Sequence, residues 1–181
     1  MPSLKGDNMQ TSIGNLMITS FCSENMKHKK FRFDLIKDEK IYEFVSTTIG
    51  RDLCDREEND DIQLEHSYII QDKDKLVGYI YTQKISEEEG IVELRYAVHP
   101  EYRRLGYMGH HDNNRKGYGE QILEECGNYL FTFDDINHID LHIRKDNEAS
   151  IGCAKKARYQ CVGMNDEEYY YIYRLSKGKR L

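Results

Sequence analysis

Three strand-like runs follow one another between residues 67 and 99 with only short, turn-forming connections, and this succession constrains the fold more than any other part of the chain. Ser67–Ile70 and Leu76–Gln83 are rich in Ile, Val and Tyr, and the polar Gln71-Asp-Lys-Asp-Lys75 separates them. Ser86-Glu-Glu-Glu-Gly90 then turns the chain into Ile91–His99. Connections this short join antiparallel strands, because a parallel pair needs a crossover of about a dozen residues or more. The centre of the fold is therefore expected to be an antiparallel meander.

The flanking segments supply the layers around it. Residues 1–13 read as a flexible polar tail, and residues 14–181 as one domain. Leu16–Phe21 reads as a first strand, and Ser23 as the cap of a helix that runs through Met26, Phe33 and Ile36. A second helix is expected at Asp38–Ile49, with Ile41, Phe44 and Val45 on its buried side and Gly50 ending it. Beyond Pro100, the apolar residues Ile122, Cys126, Tyr129 and Phe133 recur at helical spacing within Glu120–Phe133. His138–Arg144 alternates, Asn147–Ala157 is helical, and Tyr-rich strands follow at Tyr159–Gly163 and Glu168–Leu175. This order specifies a mixed α/β domain of α+β character, a single twisted, mostly antiparallel sheet flanked by helices. Glu168–Leu175 is the candidate edge strand, through which a homodimer would form.

Composition narrows the functional classes. With 39% apolar and 32% charged residues the chain is globular rather than disordered. No apolar run approaches the ~20 residues that span a bilayer, and the first residues lack the basic-then-apolar order of a secretion signal. A cytoplasmic protein without a membrane partner is expected. The formal charge of −6 argues against a nucleic-acid partner and for cationic ligands. Five widely spaced cysteines with no Cys-x-x-Cys pair suggest neither a disulfide framework nor a zinc ribbon. His110, His111 and Asp112 show no third or fourth ligand, so an exposed loop explains them better than a metal site, and no metal is expected. His138 and His142 read as strand residues.

The chemistry is concentrated after residue 91. In Val92-Glu-Leu-Arg-Tyr-Ala-Val98, Val92, Leu94, Tyr96 and Val98 share one face, and Glu93, Arg95 and Ala97 the other. A charged face on an interior strand either meets solvent or lines a cleft. The strand runs into Val98-His-Pro-Glu-Tyr-Arg-Arg-Leu-Gly106, and Arg115-Lys-Gly-Tyr-Gly119 then opens into the helix beginning near Glu120. Glycines at a helix start let an anion approach the backbone, and the first N–H groups of the helix point at it. Gly117, Tyr118 and Gly119, with Arg115 and Lys116 for charge, form a candidate cradle for a pyrophosphate; alone, such a Gly-x-Gly is often a plain turn.

Together, Val98-x-Pro-x-Tyr-Arg, the basic Gly-Tyr-Gly before a helix, and Asn147-Glu-Ala-Ser-Ile-Gly-Cys-Ala-Lys-Lys-Ala-Arg-Tyr159 resemble the two signature blocks of the GNAT N-acetyltransferase superfamily. The second block is similar in style to the branch of the ribosomal-protein-alanine and diamine acetyltransferases. Two departures stand out. The two halves of the loop signature are separated by an insertion between Gly106 and Gly117, and Arg158-Tyr159 stands where the family has Gly-Phe.

The resemblance implies direct transfer of acetyl from acetyl-CoA, as co-substrate, to a primary amine, either a small cationic amine or a protein or peptide amine. It implies that Val98 and His99 orient the pantetheine arm and polarise the thioester, that Arg103 joins the phosphate-binding loop, and that Asn147 binds the arm. Asn147 is equally well a helix N-cap. Glu93 falls where some members keep a general base, its alternative being a solvated strand carboxylate. Ser150 is the candidate acid for the departing thiolate, since Ala154 occupies the position of the tyrosine that many members use. The acidic run Asp55–Asp61 lies where acceptors are chosen. The competing reading is a non-catalytic domain of the same fold, disabled for cofactor use by its loop insertion.

Overall fold

In the computed structural model, the described residues are 10–39, 41, 67–103, 116–166 and 170–178. They form one open sheet of eight strands with three helices. The chain begins with a hairpin, β1 (Gln10–Ile13) and β2 (Leu16–Ser20), followed by α1 (Met26–Ile36). The meander is β3 (Ser67–Asp72), β4 (Lys75–Ser86) and β5 (Ile91–Val98). A single 3-10 turn, Pro100–Tyr102, precedes α2 (Tyr118–Leu130) and β6 (His138–Arg144). The last elements are α3 (Glu148–Lys156), β7 (Gln160–Asn165) and β8 (Tyr170–Ser176). Among the described residues, no helix is long and apolar enough to cross a membrane.

The strand order is β1-β2-β3-β4-β5-β6-β8-β7, and every pairing is antiparallel except β5 with β6. The meander stands as expected. Ile122, Leu123, Cys126 and Leu130 of α2 and Ala154 of α3 pack with Val92, Leu94, Ile139, Leu141 and Ile143 of the sheet. On the opposite face, α1 sets Phe31 and Leu35 against Ile69 and Tyr79.

Four expectations are corrected. The end of the supposed tail is strand: Gln10–Ile13 pair with Leu16–Thr19, and Gly14, at φ +57°, makes the turn that polar composition concealed. Asn25, not Ser23, caps α1, its Oδ1 accepting from the N–H groups of Lys27 and His28. The face of α1 is also shifted, with His28, Phe31 and Leu35 buried while Met26 is 74% and Phe33 43% exposed. Finally, β8 is not an edge strand: it lies between β6 and β7, leaving β7 as the edge. Tyrosines at alternate positions fit an interior strand as readily as an edge, so residue type could not separate the two. The expected second helix and the Asp55–Asp61 run lie largely outside the described residues.

Candidate active site

The parallel seam between β5 and β6 is short. Ile91, Val92 and Glu93 pair with His138, Ile139 and Asp140, and the β5–β6 ladder ends there. Beyond it, β5 follows its antiparallel partner β4 up to Val98, whereas β6 follows β8 up to Arg144. The two strands therefore part, leaving a wedge-shaped gap in the middle of the sheet. His99 N–H donates to the Val77 carbonyl at 3.0 Å. Backbone direction alternates along an antiparallel strand, so the main-chain groups of Tyr96 and Val98 face away from β4, into the gap.

The start of α2 lies beside this gap. Gly117 is its N-cap and supplies no side-chain cap, and the first intrahelical bond runs from Gln121 N–H to the Gly117 carbonyl at 3.0 Å. The N–H groups of Gly119 and Glu120 thus have no acceptor within the helix. The two glycines have different uses. Among the described residues, a Cβ on Gly117 would meet nothing within 4 Å. A Cβ on Gly119 would fall 2.9 Å from Cys153 Sγ and 3.6 Å from the Tyr96 ring. Gly119 is therefore the contact point that lets the helix start press against β5 and α3.

Below that contact, Tyr96 Oη and Ser150 Oγ lie 2.9 Å apart. Burial, reinforced by the neighbouring Cys153 thiol, raises the Tyr96 phenol well above its usual range and keeps it protonated. Asn147 Oδ1 accepts from Ser150 N–H at 3.1 Å, so the asparagine is the N-cap of α3, and through that cap it sets the serine in place.

On the other face of β5, Glu93 is 4% exposed, not a solvated carboxylate. Arg95 donates to it twice, Nε at 2.7 Å and Nη2 at 3.0 Å, and His142 Nδ1 stands 3.3 Å from its Oε1. Burial alone would raise this carboxyl; the hydrogen bonds from His142 and Arg95 outweigh it and bring it down to about 2. A carboxylate so strongly held in its charged form is a weak proton acceptor. His142 is stacked on Tyr170, ring centroids 4.9 Å apart and planes 17° apart.

Several predicted cofactor contacts are engaged elsewhere. The single N–H of His99 serves the sheet, so it cannot polarise a thioester, and its ring stacks on Phe31 at 5.1 Å. Arg103 binds the Val98 carbonyl through Nε at 2.9 Å and Asp38 through Nη1 at 2.7 Å, bracing the end of β5 rather than reaching the start of α2. Tyr118 donates its hydroxyl to Asp72 in the β3–β4 hairpin at 2.7 Å. Lys116 is paired with Glu124, in the second turn of α2. Gly106, Arg115, His110, His111 and Asp112 lie outside the described residues. Among the described residues, no group of three or more His, Cys, Asp or Glu side chains is placed to hold a metal ion.

A sheet parted beside an uncapped helix start narrows the choice of fold family, and the comparison with known families decides it. The acetyltransferase (GNAT) domain matches residues 17–160. The chain belongs to the GNAT acetyltransferase family. Solved structures agree on the fold. A GNAT-family acetyltransferase from Bacillus anthracis superposes with a TM-score of 0.66 at 14% identity, covering 93% of this chain and 98% of the other. RimL, a ribosomal alpha-N-protein acetyltransferase in an apo crystal, gives 0.65 at 14% identity and 92% coverage of both chains. A spermidine N-acetyltransferase from Vibrio cholerae, in complex with CoA and spermine, gives 0.61 at 16% identity, covering 88% and 93%.

Within this GNAT domain, the sequence alone did not bring Tyr96 to Ser150 or His142 to Glu93. Tyr96 was visible as one of four residues on the apolar face of its strand, but its hydroxyl partner is 54 positions away. For His142 a signal existed: once β5 and β6 are parallel neighbours with Glu93 opposite Asp140, the residue two positions on stands on the same face as Glu93.

Proposed function

We propose that this GNAT domain is an N-acetyltransferase that moves the acetyl group of acetyl-CoA directly to a primary amine. The observation that carries the reading is the gap between β5 and β6, opening beside the N-terminus of α2. The residues present fit such a co-substrate. The Gly119 and Glu120 N–H groups beside Gly117 suit a pyrophosphate. The main-chain groups of Tyr96 and Val98 suit the amide-bearing arm, which would lie in the gap as a surrogate strand. Arg103 holds the end of β5 for this purpose by fixing the Val98 carbonyl.

The Tyr96–Ser150 pair then supplies a proton to the departing thiolate, Tyr96 as the retained acid and Ser150 as its orienting partner. The acceptor is a small cationic amine or a protein or peptide amine, in keeping with the net charge of −6. Spermine, bound in the Vibrio cholerae enzyme, and the protein alpha-amine that RimL acetylates belong to those two acceptor classes.

The test is calorimetry of acetyl-CoA with the intact protein and with Gly117→Glu. A Cβ at this position meets no described residue within 4 Å, so the variant is expected to fold, and its carboxylate would repel a pyrophosphate. Binding lost in the variant supports the reading. No binding by the intact protein overturns it in favour of a non-catalytic domain.

A further inference from the structure

We infer that His142 is the proton acceptor for the acceptor amine, with Glu93 as the residue that orients it; this rests on the acetyl-transfer reading above. The argument begins with which nitrogen carries the hydrogen. Glu93 is buried and ionised, so its oxygens can only accept. The Nδ1 atom 3.3 Å from Glu93 Oε1 must therefore be the protonated one, and in the neutral ring the lone pair is on Nε2, at the opposite edge. Stacking on Tyr170 fixes the ring plane. Arg95 closes the remaining side of Glu93, so the carboxylate cannot turn away from the imidazole.

Position supports the role. His142 lies two residues beyond Asp140, the last residue of β6 paired with β5, and so borders the gap where the thioester would lie. Its side chain is 27% exposed, open enough to meet an amine, whereas that of Glu93 is 5% exposed. Charged or titratable groups on this side include Arg95 on β5, Tyr81 opposite it on β4, Arg144 on β6, which is paired with Asp146, Tyr170 on β8, and the Asp140–Arg174 pair, which closes on itself through two bonds of 2.7 Å.

The step balances without a further reactant. The ammonium gives one proton to Nε2, and the freed lone pair forms the N–C bond at the thioester carbonyl. The C–S bond breaks with its electron pair leaving on sulfur. The second proton lost from nitrogen reaches the thiolate by way of Tyr96–Ser150, and the first passes from Nε2 to solvent. One proton is released per acetyl group transferred.

The experiment compares wild type, His142→Gln and His142→Phe, with His138→Gln as a control on the same strand. Acetyl-CoA binding is measured by calorimetry, and CoA release is followed with spermidine, kanamycin and an alanine-initiated peptide as acceptors. His142→Phe keeps an aromatic ring against Tyr170, and His142→Gln keeps a donor towards Glu93. Expected are unchanged acetyl-CoA affinity in all four proteins and a fall in kcat of about 10²-fold in both His142 variants. A rise of kcat/KM with pH is expected in wild type, and it should be lost in His142→Gln and kept in His138→Gln. His142 variants that turn over within threefold of wild type, with the same pH limb, overturn the inference and leave acetyl transfer standing. A wild type that does not bind acetyl-CoA overturns both.

Discussion

Tyr96 Oη and Ser150 Oγ stand 2.9 Å apart, joining the middle of β5 to the first turn of α3. If this pair protonates the thiolate, Tyr96→Phe should lower kcat by about 10²-fold and Ser150→Ala by less, because the phenol remains. The double variant should be no worse than Tyr96→Phe alone, since residues that act as a unit are not additive. Steady-state kinetics with calorimetric acetyl-CoA affinities for the three variants checks this.

Glu93 links stability to pH in a defined direction. Its folded-state value, about 2, lies below the ordinary 4.5, so the ion pair contributes fully above about pH 4.5. That contribution is lost as pH falls from there towards 2. Glu93→Gln should therefore lose about 3 kcal/mol at pH 7, as when one partner of a largely buried pair is removed. The gap between variant and wild type should shrink steadily below pH 4.5. Urea unfolding from pH 7 to pH 3 measures it.

Gly119 and Cys153 should behave as one unit. Gly119→Ala drives a methyl group into Cys153 Sγ at 2.9 Å and should cost about 1–3 kcal/mol. Cys153→Ala removes the obstacle, so the double variant should recover most of that loss. A thermal double-mutant cycle reads the coupling.

The departure from the family's Gly-Phe at Arg158-Tyr159 has a readable consequence. Arg158 N–H bonds to the Lys155 carbonyl at 3.1 Å and Tyr159 N–H to the Ala154 carbonyl at 2.9 Å, a Schellman ending to α3. Arg158 takes the left-handed position of that motif at φ +67°, where glycine is unstrained. Arg158→Gly should stabilise the protein by about 1 kcal/mol. The hydroxyl of Tyr159 is buried with no hydrogen-bond partner among the described residues. Tyr159→Phe should be neutral or stabilising by about 1 kcal/mol. Thermal unfolding of both variants tests this pair.

What could be read in the sequence follows how local its cause is. The meander, the helix after Gly117 and the Asn147 cap rest on turns, periodicity and capping within a few residues, and each was legible. The roles of Arg103 and Glu93 were not. Arg103 is fixed by Asp38, 65 positions away. Glu93 is fixed by a histidine on a strand it meets only because β6 returns parallel to β5. The face of α1 was misread because Met26 and Phe33 are apolar yet exposed, while His28 is buried with its Nδ1 accepting from Cys22 N–H at 3.1 Å.

The three-residue seam between β5 and β6 has a thermodynamic corollary. Among the described residues it is the sole lateral joint between a five-stranded leaf and a three-stranded one. A molecule that lies in the gap and bonds to both leaves acts as a rivet across the weakest line of the sheet. Melting temperature then becomes a direct gauge of occupancy, rising with ligand concentration as mass action requires. Acceptors and inhibitors that seat there can be ranked by heating alone, before any turnover assay exists.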